Sequence, residues 1–257
     1  MTHIIAHRGA SHDAPENTLA ALSLAWLQNA DACEVDAHVS KDGHVIIMHD
    51  PNTQRTTGFA ADIAALSLDE IKGLDAGSWK GAQFAGEQVP TLEEVLAIVP
   101  DEKQLYLEIK AAGMVPQLKT CLERVGPALA QLVGIGFDYT TMTEFKTALP
   151  DVEALWLVGG PTKVQTAIKP QGCLEDCIVQ CQRANLQGLN LHQHWFEDEA
   201  VLHRIHDAGL KACVWTVNDG AVARRLANAG IDAITTDRPA LMRQQIGEPP
   251  ATALRPG

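Results

Sequence analysis

Apolar residues along this chain fall into short runs of strand length, separated by stretches whose apolar positions recur three and four apart. The runs cover His3–His7, Ala32–Ser40, Leu105–Lys110, Leu132–Phe137, Ala154–Val158, Gly188–Leu191, Leu210–Val217 and Ala233–Asp237. They are solidly apolar or of period two, as expected for strands of a buried parallel sheet. Between them the spacing predicts helices over Thr18–Gln28, Leu92–Val99, Val115–Val125, Thr141–Ala148, Leu174–Ala184, Glu197–Asp207 and Asp219–Ala229. Start signals support several of these. Asn17 or Thr18 is the expected N-cap of the first helix, and Thr91 with Glu94 forms a capping-box pair. Pro239 suits the first position of a last helix, for which Asp237 is the expected cap. Eight strands alternating with helices predict the α/β class and a (β/α)8 barrel. Spacing alone leaves a large doubly wound sheet as the alternative.

Two segments depart from the alternation. His44–His49 reads as a ninth strand, joined to the second by the turn Lys41-Asp42-Gly43. So short a link makes a hairpin, because a parallel crossover needs a dozen residues or more. Centred on Asp42, residues whose numbers sum to 84 face each other, which sets Glu34 opposite Asp50 and Val35 opposite His49. The other segment, residues 51–90, has weak helix signals near Ser67–Leu74 and reads as an insertion capping the barrel mouth. Residues 1–246 then form one barrel domain, and the Pro-rich tail 247–257 is expected to fray.

Length and composition fit this picture. A barrel of this fold uses about 250 residues, and a hydrophobic fraction of 46% in 257 residues supplies a substantial core. The net charge of −12 disfavours broad attachment to nucleic acid or anionic membrane, while leaving room for a local positive pocket. A small-molecule partner is expected. No run approaches the ~18 apolar residues of a membrane span, and "MTHIIAHRGA" lacks signal-peptide features, so the cytoplasm is the expected compartment. The six cysteines should then be reduced thiols. Cys173, Cys177 and Cys181 share one helical face but spread over two turns, too far to meet on one ion, and are expected to face the core.

The chemistry gathers where strands end. Within "CEVDAHVSKDGHVIIMHD" the side chains alternate, so Glu34, Asp36 and His38 share one face. Carboxylates buried on one face are costly unless a cation neutralises them. Glu108 and Lys110 of "LYLEIK" share a face of the third strand, and His7 and Arg8 end the first. In a (β/α)8 barrel functional groups collect at the C-terminal strand ends, so His7, Arg8, Glu34, Asp36, Glu108 and Lys110 converge on one rim, with His49 folded in by the hairpin. Three carboxylates without cysteine suit a hard divalent cation, Mg²⁺ or Ca²⁺, more than zinc. Arg8 and Lys110 supply positive charge for an anionic substrate. Two histidines can serve as acid and base, each contributing roughly 10²–10⁴ in rate. The set describes metal-assisted cleavage of a phosphate ester.

Other residues read more blandly. His38 is expected to be solvated on the hairpin. His192 and His194 in "LNLHQHW" look like a metal clip, but lack carboxylates on their own strand and are placed at a loop or substrate edge. Trp215 and Asn218 end the seventh strand, where an aromatic serves equally as packing or as a substrate platform.

Taken together, "AHRGASHDAPENT", "EVDAHVSKDGHVIIMHD", "DAGSWK", "PTLEEVL", "LYLEIK" and "VWTVN" resemble the glycerophosphodiester phosphodiesterase family, especially its short cytoplasmic bacterial members. The resemblance runs to about Asp237. It implies a (β/α)8 barrel that hydrolyses glycerophosphodiesters to glycerol 3-phosphate and an alcohol with one divalent cation, Mg²⁺ or Ca²⁺, with Mn²⁺ as a further candidate. It implies His7 and His49 as the acid/base pair and Glu34, Asp36 and Glu108 as metal ligands. Arg8 would hold the phosphate with Lys110 beside it, and the route would pass through a cyclic phosphate. Phe137 and Trp215 are candidate substrate contacts. Where family members often carry Ser-Ser-Phe, this chain reads Gly134-Ile135-Gly136-Phe137, and the glycines are expected to widen the alcohol side. Two rival readings are a phosphodiesterase of the same fold acting on a lysophospholipid, and a barrel that only binds a phosphorylated metabolite. A binding-only relative would be expected to lose a histidine or a carboxylate, and this chain keeps them all.

Overall fold

The computed structural model describes residues 1–160, 172–198 and 200–247. Nine strands are formed among them: β1 (His3–His7), β2 (Ala32–Val39), β3 (Val45–Ile47), β4 (Gln104–Ile109), β5 (Leu132–Gly136), β6 (Glu153–Val158), β7 (Gly188–His192), β8 (Lys211–Trp215) and β9 (Ala233–Thr236). All but β3 pair in parallel in the order β1-β9-β8-β7-β6-β5-β4-β2, and the β1–β2 pairing closes the ring. The fold is a closed eight-stranded parallel barrel with helices between the strands, which excludes the doubly wound alternative.

The ninth strand lies outside the ring because of how β2 is used. On one edge β2 pairs with β4 from Ala32 to Ala37. On the other it pairs with β1 only as far as Glu34, where β1 ends, and β3 takes the edge left free at Ala37–Val39. The observed partners Ala37–Ile47, His38–Ile46 and Val39–Val45 all sum to 84, as the turn residues predicted. The strand is shorter than His44–His49, however. The Met48 N–H still donates to the Asp36 carbonyl, but His49 and Asp50 have left the ladder and do not face Val35 and Glu34 as strand partners.

The helices are α1 (Leu19–Leu27), α2 (Gln54–Thr57), α3 (Leu68–Lys72), α4 (Leu92–Leu96), α5 (Val115–Val125), α6 (Tyr139–Ala148), α7 (Leu174–Arg183), α8 (Ala200–Asp207), α9 (Gly220–Ala229) and α10 (Pro239–Ile246). Thr18 caps α1, and Thr91 with Glu94 closes a capping box on α4. Instead of starting α8 at Glu197, the chain forms a 3-10 turn over Gln193–Glu197. On α7 the buried stripe is Leu174, Cys177 and Cys181, whereas Cys173 sits exposed at the N-cap. The expectation of three core-facing cysteines holds for two, because the third lies outside the first turn.

Apolar side chains divide into three clusters. One fills the barrel floor, with Ile5, Tyr106, Val133, Leu155 and Cys213 among its members. A larger one lies between strands and helices. The third, with Ile46, Met48, Ile63, Leu66, Ile71 and Val89, joins the hairpin to segment 51–90. That segment therefore has its own small core, anchored on β3. Except for Gly247, the tail 247–257 lies outside the described residues. Among the described residues no helix is long and apolar enough to cross a membrane.

Candidate active site

The turn that ends β1 is set by its glycine. Gly9 has φ +81°, and a Cβ there would lie 2.6 Å from the Ala21 backbone of α1, so only glycine lets the chain turn so close to that helix. Arg8 is also left-handed, at φ +56°. This turn points the Arg8 N–H at Glu34, donating to Oε2 at 3.0 Å. The guanidinium leans over Asp36, with Nε 3.1 Å from Oδ2 but out of hydrogen-bonding alignment. It also donates from Nη1 to Glu16 Oε1 at 2.8 Å.

Glu34, Asp36 and Glu108 bring one carboxylate oxygen each within 4.8 Å of one another. All three are buried, Asp36 completely. Lys110 Nζ donates to Glu108 Oε1 at 2.9 Å and stands 3.4 Å from Asp36 Oδ1. Asn17, also left-handed at φ +58°, binds Asp36 from both sides. Its Nδ2 donates to Oδ2 at 2.8 Å, and its Oδ1 accepts the Asp36 N–H at 3.2 Å. Thr18, not Asn17, is thus the helix cap, and Asn17 orients a carboxylate. Burial, reinforced by Asp36 and Glu108, raises the Glu34 pKa well above the usual carboxylate range. Burial and Asp36 together raise Glu108 to about 7 against the pull of Lys110. For Asp36 burial works the same way, but Arg8, Lys110 and His49 outweigh it and hold the group ionised. Asp36 Oδ1 accepts no hydrogen bond among the described residues. Three converging carboxylates, two of them reluctant to ionise unaided and one with an orphaned oxygen, fit a hard divalent cation.

The two histidines face one cavity of about 230 Å³, lined also by Arg8, Glu34, Glu108, Lys110, Phe137 and Trp215 among others. Asp36 lies buried beside the carboxylates that line it. Each histidine is held at Nδ1 by an aspartate. His49 meets Asp50 Oδ1 at 2.6 Å. His7 meets Asp237 Oδ1 at 2.7 Å, and its Nε2 stands 4.0 Å from Glu34. Burial lowers the His49 pKa despite the nearby Asp36. Asp237 does not cap α10, whose N-cap position is Arg238 with no side-chain cap bond. Its carboxylate instead accepts from Ser11 Oγ and Asn218 Nδ2 as well as meeting His7. Its strand-end position points to the site, whereas Pro239 two residues on points to a helix cap.

His38 is 8% exposed, not solvated, and its Nε2 lies 3.1 Å from the His49 carbonyl, so it braces the chain where His49 leaves the hairpin. Gly134 and Gly136 do not widen the cavity. A Cβ on Gly134 would meet Phe145 at 2.3 Å and one on Gly136 would meet Met142 at 2.9 Å, so both positions face α6. Ile135 and Phe137 carry the inward parity. Trp215 lines the cavity and is packed edge-on by Phe137 and His192, with ring centroids 5.4 and 5.0 Å away. Its Nε1 donates to the Asn190 carbonyl at 3.0 Å. His192 stacks on His194, which pairs with Glu197, and neither joins an acidic cluster among the described residues.

The family model for the glycerophosphoryl diester phosphodiesterase family matches residues 7–241. A glycerophosphodiester phosphodiesterase of Caldanaerobacter subterraneus subsp. tengcongensis is 30% identical over 248 residues, covering 93% of this chain and 95% of that one. The structure of an Oleispira antarctica phosphodiesterase in complex with the product sn-glycerol-3-phosphate superposes with a TM-score of 0.82 at 32% identity, covering 96% and 97% of the two chains. A glycerophosphodiester phosphodiesterase from Agrobacterium tumefaciens superposes at 0.81 with 26% identity, over 95% and 100%. With fold, length and sequence in agreement along nearly the whole chain, this protein belongs to the glycerophosphoryl diester phosphodiesterase family and is a phosphodiesterase.

Proposed function

We propose that the protein hydrolyses glycerophosphodiesters to glycerol 3-phosphate and an alcohol, with one divalent cation held by Glu34, Asp36 and Glu108. The observation that carries this reading is the shared cavity, in which two aspartate-held histidines face three clustered carboxylates with Arg8 and Lys110 between. The product named in the Oleispira complex is consistent with it. When bound, the cation supplies Lewis-acid stabilisation of phosphoryl charge and helps orient the glycerol end.

His7 and His49 move the protons. One removes the proton of the glycerol 2-hydroxyl as that oxygen attacks phosphorus. The other donates a proton to the alcohol oxygen whose bond to phosphorus breaks, leaving a five-membered cyclic phosphate. In the second half the roles reverse: water loses a proton to one histidine, its oxygen bonds phosphorus, and the 2-oxygen leaves with a proton from the other. Each imidazole works through Nε2, because Nδ1 is engaged by Asp50 or Asp237. Those aspartates fix the orientation and tautomer of the rings. Arg8 and Lys110 balance the phosphate charge, and Phe137 and Trp215 give the same cavity apolar lining. Segment 51–90 is read as a cap on this mouth.

Release of glycerol 3-phosphate from glycerophosphocholine and glycerophosphoethanolamine tests the reading. EDTA should abolish release, and Mg²⁺, Ca²⁺ or Mn²⁺ added back should restore it. Folded protein that stays inactive on both substrates with every ion would refute it.

A further inference from the structure

Segment 51–90 reaches two of the catalytic groups at once through Arg55. Arg55 of α2 donates from Nε to Asp50 Oδ2 at 2.6 Å and from Nη2 to Asp50 Oδ1 at 3.3 Å. The other side of the same guanidinium forks onto Glu16, Nη1 to Oε2 and Nη2 to Oε1, both at 2.8 Å. Asp50 holds His49 and Glu16 holds Arg8, so one chain of contacts runs His49–Asp50–Arg55–Glu16–Arg8.

Two observations argue that this clamp serves the site and not the fold of the segment. The turn that carries Arg55 is tied by other bonds: Thr53 Oγ1 donates to the Phe59 and Ala61 carbonyls, Thr57 Oγ1 to the Thr53 carbonyl, and Asn52 Nδ2 to Asp62 Oδ1. The Arg55 side chain is also 44% exposed, and exposed ion pairs add little stability. A planar fork that engages two carboxylates fixes direction and distance between them, which an ammonium cannot do.

We propose that Arg55 is a positioning residue that sets the His49 imidazole and the Arg8 guanidinium relative to each other, so that the segment after β3 completes the active site. Without it Asp50 still meets His49 and Glu16 still meets Arg8, but the two pairs are no longer registered. The inference rests on the reaction proposed above, in which both groups act on one phosphorus.

The test compares kcat/KM for glycerol 3-phosphate release in wild type, Arg55→Ala, Arg55→Lys and Asp62→Asn, with thermal melts to confirm folding. Asp62→Asn removes the charge from the carboxylate that accepts from Asn52 in the same turn, without touching the clamp. Arg55→Ala is expected to lose roughly 10- to 100-fold, the size of effect that follows a small misplacement of reacting groups. Added guanidinium ion should restore part of that loss, Arg55→Lys should fall between, and Asp62→Asn should match wild type. Wild-type activity in Arg55→Ala would overturn the inference. So would a loss in Arg55→Ala that guanidinium does not relieve and that Asp62→Asn shares, since both point to a role in folding the turn. An inactive wild type would overturn the proposed reaction itself, and this inference with it.

Discussion

His7 Nδ1 and Asp237 Oδ1 lie 2.7 Å apart, although 230 residues separate them in sequence. The contact forms because β1 and β9 are neighbours in the closed ring, so the first and last strands deliver their end residues to one point. Burial pushes the Asp237 pKa up, but His7, Asn218 and Ser11 outweigh it and keep the carboxylate ionised. Asp237→Asn places an amide where the carboxylate holds the ring, so the ring's orientation and tautomer are no longer fixed. Turnover should fall by roughly 10²–10⁴, the range of a disabled acid or base, with little change in melting temperature. A fall of less than threefold would show that His7 needs no such partner.

His7→Ala and His49→Ala should each lower turnover by ~10² or more while leaving the circular dichroism spectrum unchanged. Both side chains line an open cavity, so truncation removes little packing. Wild-type turnover in both purified variants would refute the acid/base pair.

Ion binding should depend on pH. In the ion-free protein burial raises Glu34 well above the usual carboxylate range and Glu108 to about 7, so Glu108 is partly protonated at neutral pH and Glu34 resists ionising. A cation binds the deprotonated carboxylates, and its uptake must release the protons held there. Affinity should therefore rise between about pH 6 and about pH 8, with measurable proton release at the lower pH. Calorimetry in two buffers of different ionisation enthalpy reads both. Glu108→Gln should weaken binding and reduce the release. Equal affinity at the two pH values would remove the carboxylate trio as the ion site.

Gly134→Ser should destabilise this chain and leave alcohol preference alone. The new Cβ meets the Phe145 ring of α6 at 2.3 Å. Overpacking of this kind costs about 1–3 kcal/mol, and each kcal/mol lowers Tm by ~2–4 °C in a domain of this size. A variant with an unshifted Tm and a changed ratio of rates for glycerophosphocholine and glycerophosphoethanolamine would show that the position faces substrate after all.

The sequence by itself determined eight parallel strands alternating with helices, and the β1–β2 pairing that closes them into a barrel and not an open sheet was decided by the tertiary structure. The sequence also determined the hairpin, because a three-residue turn leaves no room for a crossover and fixes which residues pair. Parity along single strands was enough to put Glu34 with Asp36 and Glu108 with Lys110. What only the tertiary structure decided are relations between segments far apart in the chain. Asp237 looked like a helix cap because a cap is a local bond that Pro239 advertises, whereas its tie to His7 exists only once the ring closes. Asn17 likewise carried a local signal that its neighbour Thr18 satisfies, which freed it to hold Asp36. Gly134 and Gly136 carry no side chain to mark which way they face, and only the packing of Phe145 and Met142 against them shows it. Arg55 had no periodicity to mark it, and its place follows only from two carboxylates that the fold sets within reach of one guanidinium. Local physics dictates which elements form, and the ends of those elements take their roles from the partners that closure brings to them.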